Sequence, residues 1–350
     1  MTAAASGGQE LTADFLTRAL ASHLGETVVT AVAVAPVGTG QVSDSYRLSL
    51  TYDRPSGLPP TIIAKVPAAD AASRTAARAF RTYEIEASFY SHLAPRLPVA
   101  LARCYYAAYD PGPDEYVVLL EDLAPALPGD QLAGLHPDDA AAAIRELAAL
   151  HAAGWESSEL AALPWLNRSG PDAVALLAAV LADLYPRFRE RYASHLEPGT
   201  LSLIEDFLPK VSSYLAASDE PRTIVHGDFR ADNLLLGPTR PVVLDWQTAG
   251  FGAGTADLSY FLASSLPVAA RRQYEETLVR RYHAALTAGG AALSWNDCWT
   301  GYRRHAFSGI VMDIIAAMMV RRTERGDAMF AAMARRHARH ALDLDALALL

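Results

Sequence analysis

Three oxygen-bearing side chains stand at short intervals in one segment of the chain: Asp228, Asn233 five residues on, and Asp245. Asp228 falls in a loop just after the apolar run "TIV", and Asp245 follows the run "PVVL" beyond a tight turn. This spacing predicts a carboxylate, a carboxamide and a second carboxylate at the ends of two paired strands. Oxygen donors of this kind suit a hard cation such as magnesium, which keeps several waters, and suit zinc poorly. Phosphoryl transfer asks for a group that orients or deprotonates the acceptor, for cation ligands, and for a positive charge on the phosphates. The segment meets the first two needs. For the third, Lys65 ends the run "IIAK" and is one of only two lysines among 30 Lys and Arg residues. A compact ammonium approaches phosphates as a point charge, where an arginine fork is wider and planar.

Each of these residues also has a plainer reading. An Asp after Gly is commonly a cap or turn former, which applies to Asp228 taken alone. Asp245 ends an apolar run, where a carboxylate is costly to bury unless a cation or donors meet it. Lys65 could be a snorkelling lysine on an edge strand. His226 reads as a packing and hydrogen-bonding residue that shapes the loop, Asp232 as a local cap, and Asp257 as a helix start or loop brace. Arg230 is placed to touch an acceptor or to brace Asp228. A buried lysine needs an anion, and Glu84 and Glu86 lie two apart on a helix, so they point different ways. Glu86 has Tyr83, Phe89, Tyr90 and Leu93 as helical neighbours, which turns it inward, while Glu84 neighbours Arg81 and Ser88. Glu86 is therefore the expected partner.

The elements that must hold these residues change character along the chain. The first third reads as strands at 27–35, 44–50, 61–67, 104–109 and 116–123 around one helix at 79–93. The turn "PVGTGQVS" between the first two strands holds Gly38 and Gly40, which allow a close backbone approach. Pro and Gly break the pattern at 124–135, the expected linker. Beyond it the period is helical: Ala141, Ile144, Leu147, Ala148 and His151 share a face, and 172–192 is nearly all helix former. Residues 222–247 form an extended island, and helices are expected at 255–264, 267–287, 293–322 and 325–348. The fold class expected is α+β, with an N-terminal part over 1–123 and a helical part over 124–350.

The segment "VHGDFRADNLLL" followed by "VVLDWQTAGFGAGTADLSYFL" resembles the small-molecule branch of the protein-kinase-like fold: aminoglycoside phosphotransferases, choline kinases and ecdysteroid-kinase-like proteins. The resemblance runs from the glycine-bearing turn to the terminal helices. It implies a bilobal fold with ATP in a cleft between a β-rich lobe and a helical lobe. It further implies Asp228 as catalytic base, Asn233 and Asp245 as Mg2+ ligands, and Lys65, held by Glu86, at the inner phosphates. Gly38, Gly40 and Ser43 would lie in a phosphate-covering loop, with Ser43 where protein kinases carry a third glycine. Backbone groups from Glu121 to Leu123 would read the adenine edge. "DWQ" departs from the Asp-Phe-Gly of protein kinases, and the short stretch from Trp246 to Asp257 leaves little room to dock a peptide. The implied acceptor is a hydroxyl of an aminoglycoside, amino alcohol, sugar or lipophilic alcohol, walled by the region after residue 295. The alternative is a catalytically inactive kinase-like binding protein.

Composition agrees with a globular body: 51% hydrophobic and 20% charged residues over 350 positions. A formal charge of -9 disfavours nucleic acid as a partner. Arg335, Arg336, His337, Arg339 and His340, beside Met333 and Leu342, read as the solvated face of a last helix. Cys104 and Cys298 read as buried thiols with no disulfide framework. The longest apolar stretch, Ile310 to Val320, is interrupted by Asp313 and too short to span a bilayer. A cytoplasmic monomer or homodimer is the expectation.

Overall fold

Alternating apolar residues close the first third of the chain into one antiparallel sheet. The computed structural model describes residues 11–38, 42–112, 115–216, 220–237 and 240–350. The five strands are β1 (Val29–Pro36), β2 (Ser43–Tyr52), β3 (Thr61–Pro67), β4 (Cys104–Asp110) and β5 (Glu115–Glu121), in spatial order β1-β2-β3-β5-β4. Period-two alternation puts Leu48, Leu50, Ile62, Ala64, Val66, Val117 and Leu119 on one face, packed with Leu16 and Leu20. The latter two come from α1 (Ala13–Ala19) and its end at α2 (Ala21–Leu24), two short helices that the strand-rich reading of this region lacks. Their signal is weak because they are short, at seven and four residues.

The expected helix at 79–93 is two helices and a turn. Asp70 caps α3 (Ala71–Phe80), accepting a bond from the Ser73 amide. Arg81 then adopts a left-handed conformation, φ 57°, and α4 (Thr82–Ser88) starts afresh before a π-helical turn over Phe89–Leu93. No Gly marks this break, which is why the sequence does not announce it.

The chain divides into two compact units, Met1–Leu97 with Leu101–Pro125, and Pro98–Ala100 with Ala126–Leu350. The second unit is mainly helical. Its helices are α5 (Pro137–Gly154), α6 (Ser158–Ala161), α7 (Pro171–Tyr192), α8 (Pro198–Phe207), α9 (Val211–Leu215), α10 (Gly254–Ser265), α11 (Val268–Ala288), α12 (Trp295–Arg304), α13 (Ser308–Met319) and α14 (Glu324–Asp343). α10 is buried on every side except at Ala256, so it is the central helix of the unit. The single helix expected over 293–322 is split by a 3-10 turn at His305–Phe307 into α12 and α13.

Small strands organise the island. β6 (Leu127–Pro128), β8 (Leu234–Leu236) and β9 (Val242–Val243) form one antiparallel sheet; β7 (Arg222–Val225) pairs with β10 (Gly250–Ala253). β10 is absent from the sequence reading because "GFGA" carries two glycines, which weaken a strand signal. The solvated-face reading of the last helix is corrected at two positions: His337 and His340 are fully buried. Met333, His337 and His340 recur at i, i+4 and i+7, so they share the inward stripe of α14, while Arg335 is exposed. Cys298 is buried and Cys104 half-buried, and burial pushes both thiols up to about 12.

Candidate active site

The loop after β7 is folded around Gly227, whose φ is +80°. A Cβ there would stand 2.7 Å from the Thr248 carbonyl oxygen, so only glycine fits this turn. Asp257 at the start of α10 accepts bonds from the amides of His226 (2.6 Å) and Gly227 (2.9 Å), with His151 Nε2 at 3.4 Å. Burial alone would raise the Asp257 carboxyl, but His151 and the amide donors outweigh it and hold it below the usual carboxylate range. Asp257 is thus a loop brace. His226 is also a brace: its Nε2 donates to the Leu244 carbonyl (2.9 Å) and its Nδ1 accepts from the Asp228 amide (3.2 Å). Thr248 Oγ1 donates to the His226 carbonyl at 2.8 Å.

The Asp228 carboxylate is gripped from several directions. Arg230 Nε reaches Oδ1 at 3.1 Å and Oδ2 at 3.2 Å, Asn233 Nδ2 donates to Oδ2 at 2.9 Å, and the Tyr260 hydroxyl donates to Oδ1 at 2.7 Å. Asn233 Nδ2 also donates to the Asp228 carbonyl at 2.8 Å. Both partners are acceptors, so the nitrogen of the carboxamide must face them, and its oxygen Oδ1 is the atom left for other company. Arg230 is held in turn by Asp232 (3.1 Å), and Arg325 of α14 meets the same carboxylate. Burial works against the Arg230 charge, but Asp228, Tyr260 and Asp232 outweigh it and raise the guanidinium above its ordinary value. Arg230 therefore braces Asp228.

Asp245 stands close by along the chain ladder. Leu234 pairs with Val243, and the Leu244 amide donates to the Asn233 carbonyl at 2.9 Å, so Asn233 and Asp245 occupy the same end of the β8–β9 hairpin. Asp245 has φ 66°, a left-handed conformation that a carboxylate residue tolerates better than most, and Gln247 Nε2 donates to its Oδ2 at 3.2 Å. A residue kept there by its surroundings is a marker of functional sites.

In the β-rich unit, Lys65 occupies the central strand β3, not an edge, and is 9% exposed. It lies on the sheet face opposite the Ile62–Ala64–Val66 row, and its Nζ donates to Glu86 Oε1 at 2.6 Å. Glu86 Oε2 also accepts from the Tyr116 hydroxyl. Glu84 pairs with Arg81 at 2.7 Å. Gly38 has φ +73° with open space around it, so its backbone conformation is what calls for glycine. Ser43 is buried at the start of β2, opposite Pro67. Gly40 lies outside the described residues. Glu121 ends β5, where its amide donates to the Arg103 carbonyl, and Leu123 follows beyond the strand, half-buried.

Tyr260 escaped the sequence reading. It lies one turn after Asp257 on α10, so a face already assigned to the loop carries it too. The residue type alone gave no sign of its contact with Asp228.

These donors are a sparse set of oxygens. Among the described residues no three His, Cys, Asp or Glu gather into a metal cage. Among those residues no helix is long and apolar enough to cross a membrane.

The chain is similar to several known proteins. A choline kinase from Cryptosporidium parvum superposes with a TM-score of 0.58 at 10% identity, covering 95% of each chain. The ADP-bound aminoglycoside phosphotransferase APH(2'')-Ib gives a TM-score of 0.50 at 13% identity, covering 93% of this chain and 98% of that one. Over 54 residues the chain is 44% identical to acyl-CoA dehydrogenase family member 10 of Mus musculus, a match that covers 13% of this chain and 5% of that protein. The chain thus matches only a small part of that relative's length. The model of the ecdysteroid kinase-like family matches residues 38–294, most of the chain, and the protein belongs to that family.

Proposed function

We propose that the protein transfers the γ-phosphoryl group of ATP to a hydroxyl of a small molecule. The observation that carries this reading is the arrangement of Asn233, which gives its amide nitrogen to Asp228 and so leaves its oxygen for a cation, at the same end of the β8–β9 hairpin as Asp245. A site with one carboxamide oxygen and one carboxylate fits magnesium, which completes its shell with waters and phosphate oxygens, and does not fit a closed protein cage. Asn233 and Asp245 would hold the ion. Bound there, magnesium neutralises charge on the transferring phosphate oxygens.

The other roles belong to this chain's own groups. Asp228 orients the acceptor hydroxyl and takes its proton, the oxygen forms its bond to the γ-phosphorus, and the bond to the leaving ADP oxygen breaks. Lys65, kept in place by Glu86, binds the inner phosphates. Gly38, Gly40 and Ser43 let backbone approach the phosphates, and the chain from Glu121 to Leu123 meets the base. The family and the ADP-bound state of one structural relative support a nucleotide as donor. Aminoglycosides, amino alcohols, sugars and lipophilic alcohols are the acceptor classes to examine.

The test is a magnesium-dependent ADP-release screen over those four classes, with product mass as the readout. A gain of one phosphoryl group on an acceptor is the expected result, with Asp228→Asn slower by about 100-fold or more. ADP release equal in wild type and Asp228→Asn, or ATP consumption with no phosphorylated acceptor, overturns the reading.

A further inference from the structure

Behind Asp228 stands a row of buried polar groups that phosphoryl transfer does not itself require. Among the described residues the carboxylate has three side-chain donors, and two of them, Arg230 and Asn233, sit on its own loop. Tyr260 is different: it belongs to α10, the central helix of the unit, and so refers Asp228 to a fixed frame. The Tyr260 ring is itself stacked on His337 of α14, with centroids 5.3 Å apart and planes inclined by 23°. His337 Nδ1 is hydrogen-bonded to Asp313 Oδ2 of α13 at 2.7 Å. Gly309 of α13 presses on the same imidazole so closely that no Cβ fits there.

Stability alone is a poor explanation for this row. Asp313 and His337 are both fully buried, and among the described residues Asp313 Oδ1 and His337 Nε2 have no hydrogen-bond partner. Apolar side chains of similar volume generally stabilise a core as well as a buried polar pair or better. Burial, with the charge of Asp228, pushes the Tyr260 hydroxyl well above its ordinary range, so it remains a hydrogen-bond donor.

We propose that Asp313, His337 and Tyr260 form a positioning column that fixes the Asp228 carboxylate in the orientation from which it meets the acceptor hydroxyl. The inference rests on the reading of Asp228 as the base. Asp313 sets the imidazole, the imidazole and Gly309 set the phenol ring, and the phenol hydroxyl sets Oδ1. All three are positioning residues, acting through Asp228. Misplacing a reacting group by about 1 Å costs on the order of 100-fold in rate, so a loosened column is expected to act on turnover before it acts on nucleotide binding.

The experiment uses the full chain labelled with carboxyl-13C aspartate, at a single neutral pH, with the Asp228 resonance assigned by its loss in Asp228→Asn. In Tyr260→Phe that resonance is expected to move, and kcat to fall by about 10- to 100-fold with KM for MgATP within about twofold. Turnover is read with the acceptor identified by the screen and with water. A second variant, His337→Phe with Asp313→Leu, keeps the stack and replaces the buried pair by apolar groups. Its thermal midpoint is expected to hold or rise while kcat falls by about three- to tenfold. Wild-type kcat and an unmoved resonance in both variants, with stability alone altered, would reduce the column to packing. The base assignment fails separately, on wild-type turnover in Asp228→Asn.

Discussion

At the scale of single residues, Lys65 and Glu86 form the most exposed-to-test pair in the β-rich unit. Both side chains are withdrawn from water, with 11% and 1% of their surface exposed, and Glu86 takes a second donor from Tyr116. Removing the carboxylate takes a 2.6 Å ionic contact from the ammonium. Glu86→Ala is expected to lower stability by about 3–5 kcal/mol in urea unfolding, because a buried ion pair loses one partner while the ammonium remains in the sheet. Glu86→Gln keeps the shape and is expected to raise KM for MgATP by about tenfold as Lys65 loses its anchor. An unchanged urea midpoint in the first variant would contradict the energetic claim. This contact is legible in the sequence because helix phase separates Glu84 from Glu86. Tyr260 is not legible, since a phenol on an apolar helix looks like core until its neighbour in space is known.

At the scale of elements, the entry to β7 is clamped by ionic contacts. Glu220 meets Arg304 of α12 at 2.9 Å and His305 at 3.1 Å, and accepts from Thr255 of α10 at 3.2 Å. Burial alone would raise the Glu220 carboxyl, but His305 and Arg304 outweigh it and draw it from 4.5 down to about 2. A carboxyl lowered in the folded state stabilises above its unfolded value, and that contribution drains away as pH falls from about 4.5 toward about 2. The loss is expected to reach about 3 kcal/mol at the acid end. Urea midpoints measured against pH should show it, and Glu220→Gln should flatten that part of the curve; parallel curves would refute the clamp.

The breaks between elements were the least legible features. Arg81 ends one helix and begins another with neither Gly nor Pro to mark the place, and a 3-10 turn at His305–Phe307 divides α12 from α13 inside a run of ordinary helix formers. Strands and long helices read well because periodicity reports burial on one face. Breaks depend on what packs against the chain, which no local pattern records. The two buried histidines of α14 show the same effect: a basic composition suggested water, while their i, i+4, i+7 spacing with Met333 already pointed inward.

At the scale of the whole molecule, the α+β architecture distributes the candidate-site side chains over both compact units. The β-rich unit holds the Lys65–Glu86 pair, and the helical unit holds Asp228, Asn233 and Asp245. Nearly all positive charge in the protein is arginine, with Lys65 and Lys210 as the two exceptions. Lys210 Nζ donates to the Leu350 carbonyl, while Lys65 is buried against its carboxylate. An amine-acylating reagent consequently has only two side-chain addresses, each readable in a separate peptide by mass spectrometry. If Lys65 grips a nucleotide, acylation there should slow by about tenfold under saturating MgATP while the modification of Lys210 keeps its pace. Scarcity of one residue type thus turns a bulk chemical treatment into an occupancy gauge for a single side chain.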